Sequence, residues 1–234
     1  MPIDSVRLYS LLTGARQATG TAIIIDVYRA YTTAAVAFQR GAEKIILTAS
    51  VDEALDLRAR GLGDYCMGEQ DRIMPPEFDF GNSPYALSQA DVRGKTLIQS
   101  TSAGTKGANA AQDADRIYVA ALVNAAATAG AVRADEPERI SIVAMGSRGV
   151  MRTDEDEQCA LYLRNLILGY PQDSEAVRSL VASAAVSAKF DGPARPEFDP
   201  RDRDIALRVD SVPFAIRVVH EEGLLVARPW PPRE

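Results

Sequence analysis

The residues best placed to do chemistry stand together in 23–33, IIIDVYRAYTT, where the acid Asp26 is followed by Arg29 and by the hydroxyls of Thr32 and Thr33. A carboxylate holds a hard metal ion, a guanidinium forks onto a phosphate, and the free amides at a helix start favour an anion. The package suits a metal and a phosphate. It equally suits a plain helix start, in which Asp26 caps the first turn and Arg29 pairs with it. Asp79 is a second candidate, because Gly81, Asn82 and Ser83 in FDFGNSP make a tight turn able to aim it. A third is STSAGTKG, Ser100 to Gly107, whose hydroxyls and glycines between a strand and a helix bring backbone amides close to an anion. It lacks the order of a Walker A loop. Thr153 reads as the N-cap of a helix whose first turn holds Asp154 to Glu157, acids that the helix dipole alone would favour.

Cys66 and Arg72 stand in C-x5-R spacing, as a thiolate phosphatase requires. That chemistry is rejected: Glu69 and Asp71 lie between them and would repel a dianion and raise the thiol pKa, and Pro75-Pro76 stops the helix such a loop needs behind it. The lone His220 leaves little room for histidine phosphatase, bis-histidine metal or Ser-His-Asp chemistry.

The elements that must position these groups alternate. Ala22 to Ile25 has the density of a strand buried on both faces, and the following TTAAVAF reads as a helix running to Gln39 and stopping near Gly41. Asp26 then sits at a carboxyl strand end, where open α/β sheets bind ligands. Further strands are expected at Val6 to Leu12, Lys44 to Leu47, Lys95 to Gln99, Ile117 to Ala121 and within SIVAMG, with loops over 13–20 and 64–84. Ser50 and Glu53 start a helix as a capping box, and helices are expected over ANAAQDA, behind Asn124, after Thr153 and within 173–189. A proline-rich charged connection, 190–204, leads to short strands in IALRVD, VPFAIRVV and GLLVARP, with a hairpin around EEG. The expectation is one α/β domain over 1–234, with 190–234 as an optional C-terminal subdomain completing the cleft.

With 47% hydrophobic and 25% charged residues, the 234-residue chain has the composition of a soluble globular protein. A net charge of −6 argues against nucleic acid as a partner but leaves small anions open. No apolar run reaches the length of a membrane helix and the N-terminus lacks the blocks of a signal peptide, so no membrane partner and a cytoplasmic location are expected. Two cysteines make no disulfide framework.

The order of motifs resembles the 2-phosphosulfolactate phosphatase family, also called ComB-like, over nearly the whole chain. Asp26, Val27, Arg29, Ala30, Thr32 and Thr33 match its IDVLRATTT-type segment, Gly68 and Glu69 its GER turn, FDFGNSP its GFDLGNSP and STSAGT its STTNGT. Asn124, Gly146, the Glu155–Asp156 pair, Asp210 and Val212-Pro213 continue the series. Gln70, Ala103, Tyr31 and Ala144 depart from it. The resemblance implies a three-layer α/β/α fold with a largely parallel or mixed sheet. It also implies a Mg2+-dependent phosphatase that cleaves 2-phospho-3-sulfolactate to sulfolactate and phosphate, a step of coenzyme M formation.

The resulting expectation is metal-assisted hydrolysis of a small phosphorylated hydroxy acid. Asp26, Glu69 and Asp156 are the expected Mg2+ ligands, and Asp79 the acid or base. Arg29 and the Thr101 to Thr105 loop bind the phosphate, including Thr101, Ser102, Gly104 and Thr105; Thr32, Thr33, Asn82, Ser83 and Asn124 complete the substrate site. Arg72 or Arg148 is the candidate to replace the cation missing at Gln70. A homodimer is left open. Two alternatives remain: an aspartyl-phosphate phosphatase of the haloacid dehalogenase kind, although Tyr28 stands where its second Asp belongs, and an anion-binding or regulatory domain without turnover.

Overall fold

The isoleucine run is a strand buried on both faces: Ile23, Ile24 and Ile25 have no solvent exposure in the computed structural model, which describes residues 5–192 and 197–231. Each such side chain contributes about 1.5–3 kcal/mol on burial. That strand belongs to a ten-stranded sheet. Its members are β1 (Val6–Ser10), β2 (Gly20–Ile25), β3 (Lys44–Thr48), β4 (Tyr65–Gly68), β5 (Phe80–Gly81), β6 (Thr96–Ser100), β7 (Ala114–Ala120), β8 (Ile140–Ala144), β9 (Ala215–Glu221) and β10 (Leu224–Trp230). The helices that cover it are α1 (Leu11–Ala15), α2 (Ala30–Gln39), α3 (Val51–Ala59), α4 (Pro84–Gln89), α5 (Gly104–Ala110), α6 (Ala125–Ala134), α7 (Asp154–Leu168), α8 (Ser174–Ser183) and α9 (Pro200–Ala206). The architecture is three-layer α/β/α with a mixed central sheet, as the motifs implied.

The strand order is β1-β8-β2-β7-β9-β10-β3-β6-β4-β5. The first four strands are parallel to one another, and so are the last four. Between them lies the C-terminal hairpin β9–β10, antiparallel to both neighbours, so the late strands sit in the middle of the sheet. Three successive antiparallel contacts make the two blocks run in opposite senses along the ladder. A flat sheet would put the carboxyl ends of β2 and β6 on opposite edges. These strands are five steps apart, and at about 20–25° of twist per step the 180° between them falls to about 55–80°. The twist thus brings Asp26, after β2, toward the loop after β6.

Local structure departs from the sequence expectation in five places, the first being that the strand from Val6 ends at Ser10 and Leu11–Ala15, expected as strand end and loop, forms α1. Tyr65–Gly68, within the expected 64–84 loop, is a strand, because four residues bounded by glycines show no usable period. The helix after β6 begins at Gly104 rather than Ala108, and β7 begins at Ala114 rather than Ile117. IALRVD ends α9 and enters a turn instead of forming a strand. Residues 193–196 of the proline-rich connection lie outside the described residues. The Ser50 cap is present, with its hydroxyl accepting from Glu53 N at 3.2 Å.

Gly68 fixes the entry into the site. Its φ is +136°, and a Cβ there would lie 1.8 Å from Ser100 O, the partner in the β4–β6 register. Gly68→Ala therefore breaks the pairing that delivers Glu69. The variant is expected to lose at least about 2 kcal/mol of stability, a melting temperature lower by about 4 °C or more in calorimetry.

Candidate active site

Asp26 is 6% exposed, and both its oxygens are engaged by backbone. Oδ1 accepts Ala30 N at 3.1 Å at the start of α2, and Oδ2 accepts Gly104 N at 3.0 Å at the start of α5. Gly104 has to be glycine here, since a Cβ would meet Asp26 Oδ2 at 3.0 Å and Ala30 Cβ at 2.9 Å. Glu69 is held in the same way: Oε1 accepts Ser102 N at 2.6 Å, while Oε2 accepts Ser102 Oγ at 2.9 Å and Arg72 N at 2.6 Å. Thr101 and Thr105 spend their groups on each other. The hydroxyl- and glycine-rich loop is an anion cradle, as its composition suggests, but the anions in it are the protein's own carboxylates.

These acids border a cavity of about 450 Å³. Three carboxylates line it, Asp26, Glu69 and Glu155, together with four cations, Arg29, Lys189, Arg72 and Arg148. Arg29 is 5% exposed and caged: Nη1 donates to Asp202 Oδ2 at 2.6 Å and to Glu197 O at 2.8 Å, and Cζ lies 4.8 Å from the centre of the Phe198 ring. Its Nε and Nη2 make no bond to a described residue. Lys189 is half-buried, with Nζ 4.9 Å from the Tyr28 ring and 5.3 Å from Phe198. Five buried side-chain polar atoms among the described residues lack a hydrogen-bond partner, and three of them, Asn82 Oδ1, Thr153 Oγ1 and Glu155 Oε2, belong to residues that line this cavity. Leaving such atoms unpaired costs about 1–3 kcal/mol each unless something enters to pair them.

The acids here are poorly solvated and mutually repulsive. Burial, aided by the charge of Glu69, pushes the Asp26 carboxyl up to about 6. Burial pushes Glu155 up to about 7 against the pull of Lys189, and Asp26 adds to the rise. Asp156 is raised well above the carboxylate range by burial and by Glu155 and Asp26. Lys189 is lowered, by burial first, with Glu155 opposing and Arg29 adding to the fall.

Of the residues expected from sequence, the structure brings Asp26, Arg29, Glu69, Asn82 and Ser102 to the cavity wall. Asp156 does not reach it: Oδ1 accepts Val27 N at 2.8 Å and Oδ2 accepts Gly146 N at 2.7 Å, tying the loops after β2 and β8 together. Its neighbour Glu155 takes the place facing the cavity. Asp79 lies apart from it, paired with Arg58 at 2.8 Å and accepting Cys66 N at 2.8 Å, so the structure does not bring the expected acid or base to this cavity. Thr32 donates to Val27 O, Ser83 caps α4 and donates to Asp202, and Asn124 accepts Ala121 N; Thr33, Thr101, Gly104 and Thr105 are likewise absent from the wall. Arg29 pairs with Asp202 rather than with Asp26, while Asp26 does cap α2. Cys66 is buried in a small separate cluster with Ile46, Phe78 and Ile98, away from Arg72. Lys189 and Phe198 went unmarked in the sequence reading because neither stands in a strand-end motif.

Comparison with known proteins decides the kinship. The family described as 2-phosphosulpholactate phosphatase matches residues 8–193. The chain belongs to that family. It is 35% identical over 185 residues to a Bacillus subtilis protein named "Probable 2-phosphosulfolactate phosphatase", a match covering 77% of this chain and 78% of that one. Proteins of the same name from Deinococcus radiodurans and Thermus thermophilus are 38% and 37% identical, over 57% of this chain. The chain's match spans 56% of the length of each of those two relatives. The matched region contains Asp26, Glu69, Glu155 and Lys189, whereas Asp202, which holds Arg29, lies beyond it.

The raised acids make stability depend on pH. Asp26 and Glu155 bind protons more tightly folded than unfolded, so their contribution is greatest near pH 4 and is lost as pH rises through about 6 to 7. Each group titrating alone changes stability by up to about 1.4 kcal/mol per pH unit. In metal-free protein, the melting temperature of Glu155→Gln relative to wild type is expected to climb between pH 5 and 7.5. A difference that does not change with pH would contradict the buried-acid description.

Proposed function

We propose that the cavity hydrolyses the phosphate ester of a small phosphorylated hydroxy acid, with Mg2+, and that 2-phospho-3-sulfolactate is the first substrate to test. Family membership supports the reaction class. The observation that carries the reading is the meeting of four cations and three carboxylates on one cavity, with Asn82 Oδ1 buried at its wall without a hydrogen-bond partner among the described residues.

The donor set fits a hard cation. Asp26 and Glu69 are neighbouring carboxylates whose repulsion helps raise Asp26, and each keeps lone pairs beyond those its hydrogen bonds use. Among the described residues no group of three or more acidic, histidine or cysteine side chains is gathered to hold a metal. Mg2+ is commonly bound by one or two carboxylates, with substrate phosphate and water as the other ligands. Asp26 and Glu69 would hold it here. Bound Mg2+ would neutralise phosphate oxygens and acidify water.

The chain's own groups do the rest. The Nε and Nη2 of Arg29, which make no bond to a described residue and are kept in place by Asp202 and Phe198, donate to phosphate oxygens, and Lys189 adds a positive charge. Glu155, with a carboxyl near 7, carries a proton in a fraction of molecules at neutral pH. It gives that proton to the leaving alkoxide or, ionised, takes one from the attacking water. The aspartyl-phosphate alternative is disfavoured because Tyr28 stands where that mechanism wants its second Asp.

Phosphate release from phosphorylated hydroxy acids should stop with EDTA and return with Mg2+. Glu155→Gln should lower kcat by about 10²–10⁴-fold with the Mg2+ requirement unchanged, whereas Cys66→Ser should keep most activity. Full turnover in metal-stripped protein would remove the metal from the account, and a dead but folded Cys66→Ser would restore the thiolate.

A further inference from the structure

The cations of the cavity fall into two sets that differ in burial. Arg29 and Lys189 lie inside, buried and half-buried, whereas Arg72 and Arg148 stand exposed at the mouth on two facing turns. The first turn is closed by Gln70 N to Ile73 O at 2.9 Å and Ile73 N to Gln70 O at 3.1 Å. It is fastened to the cavity wall by Arg72 N on Glu69 Oε2 and by Asp71 N on Ser102 Oγ at 2.9 Å. The second is closed between Ser147 and Met151. The turns touch through two long bonds, Arg72 Nη2 to Ser147 Oγ and Arg148 Nη1 to Asp71 Oδ1, each 3.3 Å.

Both arginines adopt the left-handed backbone region, Arg72 at φ 78° and Arg148 at φ 54°, where glycine would be the unstrained choice. The Arg72 guanidinium has no carboxylate partner among the described residues. Gln70 faces a separate small pocket with Ser50 and Lys106, so the turn presents position 72, not position 70, to the main cavity.

We propose that Arg72, with Arg148, is the determinant that selects substrates carrying a second anionic group beside the phosphate ester. The inner pair takes the phosphoryl group, which is consumed in the reaction, and the outer pair takes a carboxylate or sulfonate that is not. An anion at the mouth replaces the long neutral Arg72–Ser147 bond with a charge-assisted one, competes with Asp71 for Arg148, and gives Arg72 the counter-charge that it lacks among the described residues. The assignment deepens the reading of the cavity as a phosphate-ester site and rests on it.

The test compares 2-phospholactate with isopropyl phosphate, which differ by one carboxylate. Wild type should prefer 2-phospholactate in kcat/KM, and Arg72→Gln should lower that preference by about tenfold or more. An equal fall for both esters, or an unchanged preference, overturns the proposal. Calorimetric titration of both esters in EDTA separates this claim from the phosphatase reading, since binding needs no turnover. Tighter binding of 2-phospholactate that Arg72→Gln erases upholds the subsite even if no hydrolysis is seen. Wild type that binds the two esters equally overturns it.

Discussion

One carboxylate holds the two halves of this molecule together where they matter. Asp26 leaves β2 in the first parallel block and receives N–H groups from α2 on one oxygen and from α5, which follows β6 of the second block, on the other. The hairpin between the blocks reverses their sense, so only the sheet's twist makes this meeting possible. Buried hydrogen bonds to a charged acceptor are among the stronger ones, about 1.5–3 kcal/mol each, and here two of them set the distance across the cavity. Asp156 repeats the device on the other side by accepting from Val27 and Gly146. The loops after β2, β6 and β8 are therefore tied by acids as well as by the buried side chains of Val27, Ala103 and Met145.

That construction has an electrostatic consequence. Acids used as ties inside a protein lose solvation, and with Glu69 and Glu155 close by they also repel one another, which is why Asp26 and Glu155 hold protons to about 6 and 7. Lys189 and Arg29 offset part of the charge, but Arg29 is already matched by Asp202. Three carboxylates and four cations thus share one cavity, and under the proposed function the first would face a divalent cation and the second a phosphate.

Much of this was legible in the chain itself. An apolar run ending in an acid marks a buried strand and its carboxyl end, and Asp26 and Arg29 follow from that logic. Glu69 is marked only by its match to the family's GER turn, because the strand before it goes unrecognised in the sequence. Glu155 was harder, because adjacent residues on a helix point about 100° apart and sequence does not say which of Glu155 and Asp156 faces inward. The Thr101 to Thr105 loop was recognisable as an anion cradle, but its occupants come from 32 or more residues away in the chain and only the fold reveals them. Asp79 looked like a catalytic acid for a local reason, a tight turn that aims it, and the turn aims it at Arg58 and the Cys66 amide. Lys189 sits in an Ala- and Ser-rich stretch with no periodic signal and reaches the cavity only because a short 3-10 turn, Ala185–Phe190, carries it there.

The most direct test of the central claim is a crystal structure of the protein with Mn2+, a visible stand-in for Mg2+, and inorganic phosphate. The account predicts the metal on Asp26 and Glu69 oxygens at about 2.0–2.2 Å, with the phosphate bridging it to Arg29 and Lys189. Metal and phosphate bound elsewhere, or a cavity that stays empty at saturating concentrations of both, would contradict it.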